Sequence, residues 1–185
     1  MNVSKRVFLS AMLSSLLVSG SVLAVDSGVI SFSGTITDTT CEVNIGGTGT
    51  DAAVVLPAVS AESLKGATKT NGKTRFTLSL SGCSTGLSSA KAFFAAGTSV
   101  DDATGRLKNM DTTDSGAGNI SLQLRDGQND SVIVAGDQSQ INSTAGYVDV
   151  TSASATLPYF VEYYSEGVVT PGTVTSQVTY NLIYK

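Results

Sequence analysis

Along most of this chain, apolar and polar residues alternate one for one. Ile30-Ser31-Phe32-Ser33-Gly34-Thr35-Ile36-Thr37 keeps that period, as do Phe76 to Ser81 and Ile120 to Arg125. Val132 to Val134, Leu157 to Tyr164 and Val174 to Tyr184 read as three further β segments, with Ala53 to Val59 and Ala90 to Ala95 as shorter candidates. A period of two sends successive side chains to opposite faces, one toward a core and one toward water, which marks half-buried strands. The intervals hold turn-forming clusters: GGTGTD, NGK, SGC, DSGAGN and DGQND. Only Ser60 to Lys65 has helical character. Many short strands joined by glycine-rich turns predict an all-β sandwich in one domain, without an internal repeat.

The first residues break the pattern. Lys5 and Arg6 precede an apolar run from Val7 to Val18, and Val22 and Ala24 supply the compact residues that a signal peptidase reads. The run is too short and too rich in serine for a membrane span. Residues 1–24 are therefore expected to be a cleaved export signal, and the mature chain has no membrane span. Without Lys5 and Arg6, 9 of the 11 basic residues stand against 15 acidic ones, a net charge of about −6. An acidic surface without basic clusters offers nothing to nucleic-acid phosphates or to anionic lipid headgroups. Both cysteines, Cys41 and Cys83, fall in the exported part. In an oxidising compartment the default reading is one intramolecular disulfide, and two free buried thiols are the other. A cross-link between positions about forty residues apart adds about 4 kcal/mol in the chain-entropy model.

Catalytic chemistry finds few of its parts. The chain has no histidine, so it holds no Ser-His or Cys-His nucleophile pair. Two cysteines and no histidine leave too few soft ligands for zinc. Gly46 to Asp51 (GGTGTD) lacks the following helix and the GK[ST] ending of a phosphate loop, and reads as a hairpin turn. Asp111 to Asn119 lacks EF-hand spacing and a closing glutamate, and reads as a solvated loop. Asn119-Ile-Ser and Asn142-Ser-Thr match glycosylation acceptors, triplets that arise often by chance. Nothing points to a carboxylate pair for glycoside hydrolysis. The protein is expected not to be an enzyme and to need no cofactor or metal.

The informative stretches lie at the two ends. Ahead of Cys41, Gly28, Ile30, Phe32, Gly34 and Ile36 share one face of an extended segment, while Val29, Ser31, Ser33, Thr35 and Thr37 make up the other, mostly polar one. At the far end, Gly172, Val174, Val178, Tyr180, Leu182 and Tyr184 share a face, with Thr173, Thr175, Gln177, Thr179 and Asn181 opposite. The chain stops at Lys185 while still in strand pattern, which leaves an edge to be filled. The same pattern also fits two ordinary strands of a complete sandwich.

Four features together resemble the chaperone–usher pilins, most closely the major structural subunits of type 1 fimbriae. They are Phe32-Ser33-Gly34 shortly before the first cysteine, and a cysteine pair about forty residues apart with SGC at the second. The others are the penultimate Tyr184 with Gly172 upstream of it, and the segment LPYFVEYYSEGVVTPGTV before the last strand. The resemblance covers essentially the whole chain. It implies an incomplete immunoglobulin-like β-sandwich (the pilin fold), completed by a donor strand from a neighbouring subunit.

On that reading residues 1–24 are the signal, 25–38 the donor arm and 39–185 the pilin domain. Gly34 is the small residue that a narrow groove pocket demands, Ile36 enters first, and Phe32 and Ile30 seat after it, with Gly28 at the far end. Gly172, Val174, Val178, Tyr180, Leu182 and Tyr184 line the last strand beside the groove, and Lys185 anchors its carboxylate on basic chaperone residues. The implied partners are a periplasmic chaperone, an outer-membrane usher and neighbouring subunits, and the implied destination is the fimbrium at the cell surface. The implied function is a shaft subunit used in adhesion. A minor adaptor or tip subunit and a self-contained secreted sandwich are the alternatives. Burying Ile30, Phe32 and Ile36 is worth about 5–9 kcal/mol, comparable to the whole stability of a domain. Gly34→Ile is therefore expected to abolish polymerisation while leaving fold and disulfide intact; normal fibres by electron microscopy would rule the donor assignment out.

Overall fold

A computed structural model describes residues 29–33 and 40–185. The expected signal segment and Gly28, Gly34 and Ile36 lie outside the described residues. Residues 29–33 carry no regular secondary structure, and Val29, Ile30 and Phe32 are exposed.

From residue 40 onward the period-two segments become antiparallel ladders. In chain order they are β1 (Glu42–Ile45), a 3-10 turn (Ala61–Leu64), β2 (Thr70–Ser81), β3 (Ser89–Phe94), β4 (Leu107–Lys108), β5 (Gly118–Asp126), β6 (Val132–Ile133), α1 (Ser139–Asn142), β7 (Val148–Asp149), β8 (Ala155–Thr170) and β9 (Tyr180–Tyr184). One sheet runs β1-β2-β8-β5-β4, with β6 also on β5, and the other runs β7-β3-β9.

The register explains the core. Leu78 faces Leu157 and Phe76 faces Tyr159 across β2 and β8, while Leu124 faces Val161 across β8 and β5. These inward residues pack with Ala90, Ala92 and Phe94 of β3. Phe76, Phe94 and Tyr159 form an aromatic trio, with Phe94 and Tyr159 edge to face at 5.0 Å between centroids. Edge-to-face contact suits the ring quadrupoles. On the outer face Glu162 is buried but not isolated, since Gln123 and Arg125 both donate to its Oε1. The Cys41–Cys83 disulfide ties the start of β1 to the end of β2.

Several local expectations change. NGK is a β-bulge inside β2 rather than a turn: the register shifts between Asn71 and Thr74, and Gly72 takes φ +68°. A Cβ there would lie 2.7 Å from the Tyr163 ring, so glycine serves both the backbone and the close approach. GGTGTD turns the chain, with the Ile45 N–H bonded to the Gly49 carbonyl, but builds no hairpin, because β1 pairs with β2. Ser60 to Lys65 does hold a helical turn, capped by the Ser60 hydroxyl. The Asp111 loop is pinned by its own carboxylate, which accepts from the Thr113 N–H and hydroxyl.

Tyr159 gives the fold a pH signature. Its hydroxyl accepts the Ala92 N–H at 2.9 Å, and burial pushes its pKa up to about 12. Its stabilising role is intact below the unfolded-state pKa of about 10 and is lost as pH rises toward the folded value, where only the unfolded chain has ionised. Urea unfolding between pH 9 and 12 should show stability falling with pH, and Tyr159→Phe should flatten that slope. An equally steep slope in the variant would assign it to other groups.

Candidate functional site: an open strand edge

β9 pairs with β3 on one side and has no ladder partner on the other among the described residues. Antiparallel pairing gives alternate residues to alternate edges. The Lys185 N–H donates to the Ser89 carbonyl and the Ser89 N–H to the Lys185 carbonyl, so odd-numbered residues face β3. The rule continues upstream of the ladder. The carbonyls of Thr179, Gln177 and Thr175 accept from the Ala95 N–H, the Ser99 hydroxyl and the Met110 N–H, and the Thr175 N–H donates to Asn109 Oδ1. The main-chain groups of the even-numbered residues, Val174 to Tyr184, therefore face the open edge. The core-packed side chains of this stretch, Val174, Val178, Tyr180, Leu182 and Tyr184, sit at those same positions, each only partly buried.

A second stretch mirrors this one. Residues 51–60 belong to no ladder, yet Val54 and Leu56 are half-buried against the core while Val55 between them is exposed. The expected strand over Ala53 to Val59 is thus extended and alternating but unpaired. Two phenols join this side to β9. The Tyr180 hydroxyl donates to the Thr50 carbonyl at 2.9 Å, and the Tyr184 hydroxyl accepts the Cys41 N–H at 3.2 Å. A ladder would bring main chains to about 4.8 Å, whereas among the described residues these bonds are made at the tips of long side chains. The arrangement is a strand-shaped slot with apolar side chains along it and unpaired main chain at its rim.

By contrast, β3's far edge is closed. β7 pairs with Ser89 and Ala90, and the Gln140 amide both accepts the Phe94 N–H and donates to the Phe94 carbonyl. Lys91 Nζ donates to the Ser143 and Ala145 carbonyls, which ties the loop after α1 to the same sheet. Burial, then the nearby Lys185 ammonium, hold its pKa below the usual lysine range.

The expected site residues fall as follows. Val174, Val178, Tyr180, Leu182 and Tyr184 are together on one row, although the ladder itself begins only at Tyr180. Gly172 lies off that row: a Cβ there would meet the Ala117 nitrogen at 2.4 Å, so it serves the packing of the 115–117 loop. The Lys185 oxygen accepts from the Ser88 N–H, the Ser89 N–H and the Ser88 hydroxyl. Ile30 and Phe32 are exposed. Two features went unread in the sequence: the phenol ties of Tyr180 and Tyr184, and Ser176, the polar member of the apolar row. A tyrosine near a chain end is a mild signal, since a half-buried phenol needs a partner for its hydroxyl.

The comparisons with known proteins agree with one another. A family model described as FimA, type-1 fimbrial protein A, matches residues 56–185. The major fimbrial subunit SMF-1 of Stenotrophomonas maltophilia is 41% identical over 160 residues, covering 85% of this chain and 92% of that protein. The F17 fimbrial protein of Escherichia coli is 37% identical over 171 residues, 90% of this chain and 92% of its own. A chaperone–usher pilus solved to explain rod uncoiling superposes with a TM-score of 0.59 at 17% identity, over 88% of this chain and 98% of that one. The P pilus rod subunit PapA gives 0.58 at 15%, over 78% and 99%. At such identities the structures speak for the fold alone, an immunoglobulin-like sandwich.

The phenol ties can be tested directly. Tyr184→Phe and Tyr180→Phe should each lower stability by about 1 kcal/mol, and Tyr184→Phe should accelerate amide exchange at Cys41. Unchanged exchange there would mean that the tie does not hold the slot's far side.

Proposed function

This chain belongs to the type-1 fimbrial protein family, and on that premise we propose that it builds a fibre by lending residues 25–38 to the open β9 edge of a neighbouring copy. It is a structural fimbrial subunit, displayed at the cell surface. The observation that carries the joint is the open edge: even-numbered main-chain groups from Val174 to Tyr184 without a ladder, above apolar side chains that remain half exposed. A strand laid there gains backbone hydrogen bonds for affinity and side-chain pockets for register.

The arm has the matching chemistry. Ile30, Phe32, Gly34 and Ile36 form one apolar row with a gap at Gly34, and the opposite row is polar except for Val29, as suits a strand with one face in a core and one in water. The same physics makes an unfilled subunit hazardous, since an apolar slot beside an unpaired edge invites aggregation. A periplasmic chaperone that lends a strand until the outer-membrane usher exchanges it for the next arm answers that need, with Lys185 as the chaperone's anchor. No catalytic step is required of this chain, and its role is mechanical and structural.

The test compares mature protein with and without residues 25–38, each given a synthetic peptide of that segment. The armless protein should be marginal alone, and the peptide should raise its Tm by tens of degrees. An armless protein that is already stable and ignores the peptide would refute the open-slot reading.

A further inference from the structure

The Asn71-Gly72 pair carries a chemistry that the subunit joint does not use. It is the one asparagine–glycine step in the chain, and it sits at the bulge of β2 with Asn71 exposed. In an unbroken ladder a residue's N–H points across to the next strand, away from the side chain before it. Here Asn71 pairs with Tyr163 and Thr74 with Val161, so Gly72 and Lys73 stand outside the register. The Gly72 N–H donates to the Oδ1 of Asn71 itself, at 2.7 Å. The Asn71 Nδ2 donates to the Ser63 Oγ at 2.8 Å, which fixes the carboxamide in that orientation.

This geometry brings a nucleophile to an electrophile. Cγ lies one C=O bond, about 1.2 Å, behind Oδ1, so the Gly72 nitrogen starts close to the carbon it would attack. Gly72 has no side chain to obstruct that approach, and the bulge holds it at φ +68°. Other asparagines are set differently. Asn44, Asn109 and Asn129 accept from N–H groups two or three residues further on, and Ile45, Met110 and Asp130 follow them.

We propose that Asn71 is a site of spontaneous deamidation, through a cyclic imide closed by the Gly72 nitrogen. That nitrogen loses its proton to solvent base and bonds to Cγ. The Cγ–Nδ2 bond breaks, and Nδ2 takes up a proton from water and leaves as ammonia. Water then opens the imide at either carbonyl, giving aspartate, or isoaspartate in which the main chain runs through Cγ. No oxidant or reductant is needed. Both products lose the Nδ2 donor to Ser63 and gain a negative charge. The isoaspartyl chain is also one carbon longer, at the point where β2 already carries its bulge against the Tyr163 ring. The reaction therefore loosens the β2–β8 pairing as the protein ages.

The experiment incubates the folded mature chain, its Asn71→Gln variant and a synthetic peptide of residues 67–77 in the same mildly alkaline buffer. Peptide mass spectrometry follows deamidation at each asparagine. In the folded chain Asn71 should react ahead of every other asparagine. Its rate should lie within about 3-fold of that in the free peptide, or above it, because the bulge supplies a contact that an intact ladder would prevent. Asn71→Gln keeps a carboxamide but would have to close a larger ring, and should remove the signal at position 71. A folded chain that reacts more slowly than that, or first at another asparagine, overturns the proposal. Thermal unfolding after incubation tests the consequence. Aged wild type should melt below fresh protein, and aged Asn71→Gln should not. A change of Tm that is the same in both, zero included, would refute the loosening of β2 and β8.

Discussion

A strand has two edges, and each edge carries main-chain donors and acceptors that must be paired or exposed to water. In this protein β2 lies between β1 and β8, β8 between β2 and β5, and β3 between β9 and β7. Where β3 outruns β7, the Gln140 amide takes over at Phe94. The upstream continuation of β9 is likewise satisfied on its closed side by Ala95, Ser99, Asn109 and Met110. Among the described residues the other edge of β9 has no ladder partner, as the outer edges of β1, β4 and β7 have none, but at β9 it accompanies a row of core-packed side chains, Val174, Val178, Tyr180, Leu182 and Tyr184, that stay partly exposed.

That opening is kept in shape by bonds that do not themselves fill it. The Cys41–Cys83 disulfide fixes the start of β1 to β2. The Tyr184 and Tyr180 hydroxyls then hold the Cys41 amide and the Thr50 carbonyl at a distance that a ladder would close. In the proposed joint, both sides would thus be positioned before a strand enters, which would lower the ordering cost of binding it. For a family whose members are fimbrial subunits, such a joint has a mechanical merit. In the proposed joint, successive subunits would be connected by rows of backbone hydrogen bonds and buried side chains, without any covalent bond between them.

The core-facing rows of β5, β8 and the second half of β2 were legible in the sequence because each strand sets an apolar face against a more polar one, so period two is written plainly in Ile120 to Arg125, Leu157 to Tyr164 and Phe76 to Ser81. The first half of β2 was not, because Asn71-Gly72-Lys73 looks like a turn. Only the packing of the Tyr163 ring over Gly72 identifies it as a bulge. Of the expected last row, Val174, Val178, Tyr180, Leu182 and Tyr184 pack partly buried against the core. Gly172 keeps the alternation and lies close against the 115–117 loop. Ser176 was passed over because a polar residue in an apolar row looks like noise until its hydroxyl is seen to be buried and unpaired.

The sequence by itself determined the all-β class, the face that each strand turns inward, and an arm and a last strand of matching amphipathic pattern, because side-chain alternation is a local property of extended backbone. It left open whether those two ends were partners within one complete sandwich or halves of a joint between chains. Strand pairing is non-local, and nothing in a period of two says which edge meets which. Only the tertiary structure decided which edges are closed, by bringing Gln140 to β3, Asn109 and Met110 to the stretch before β9, and no described strand to the far side of β9 itself.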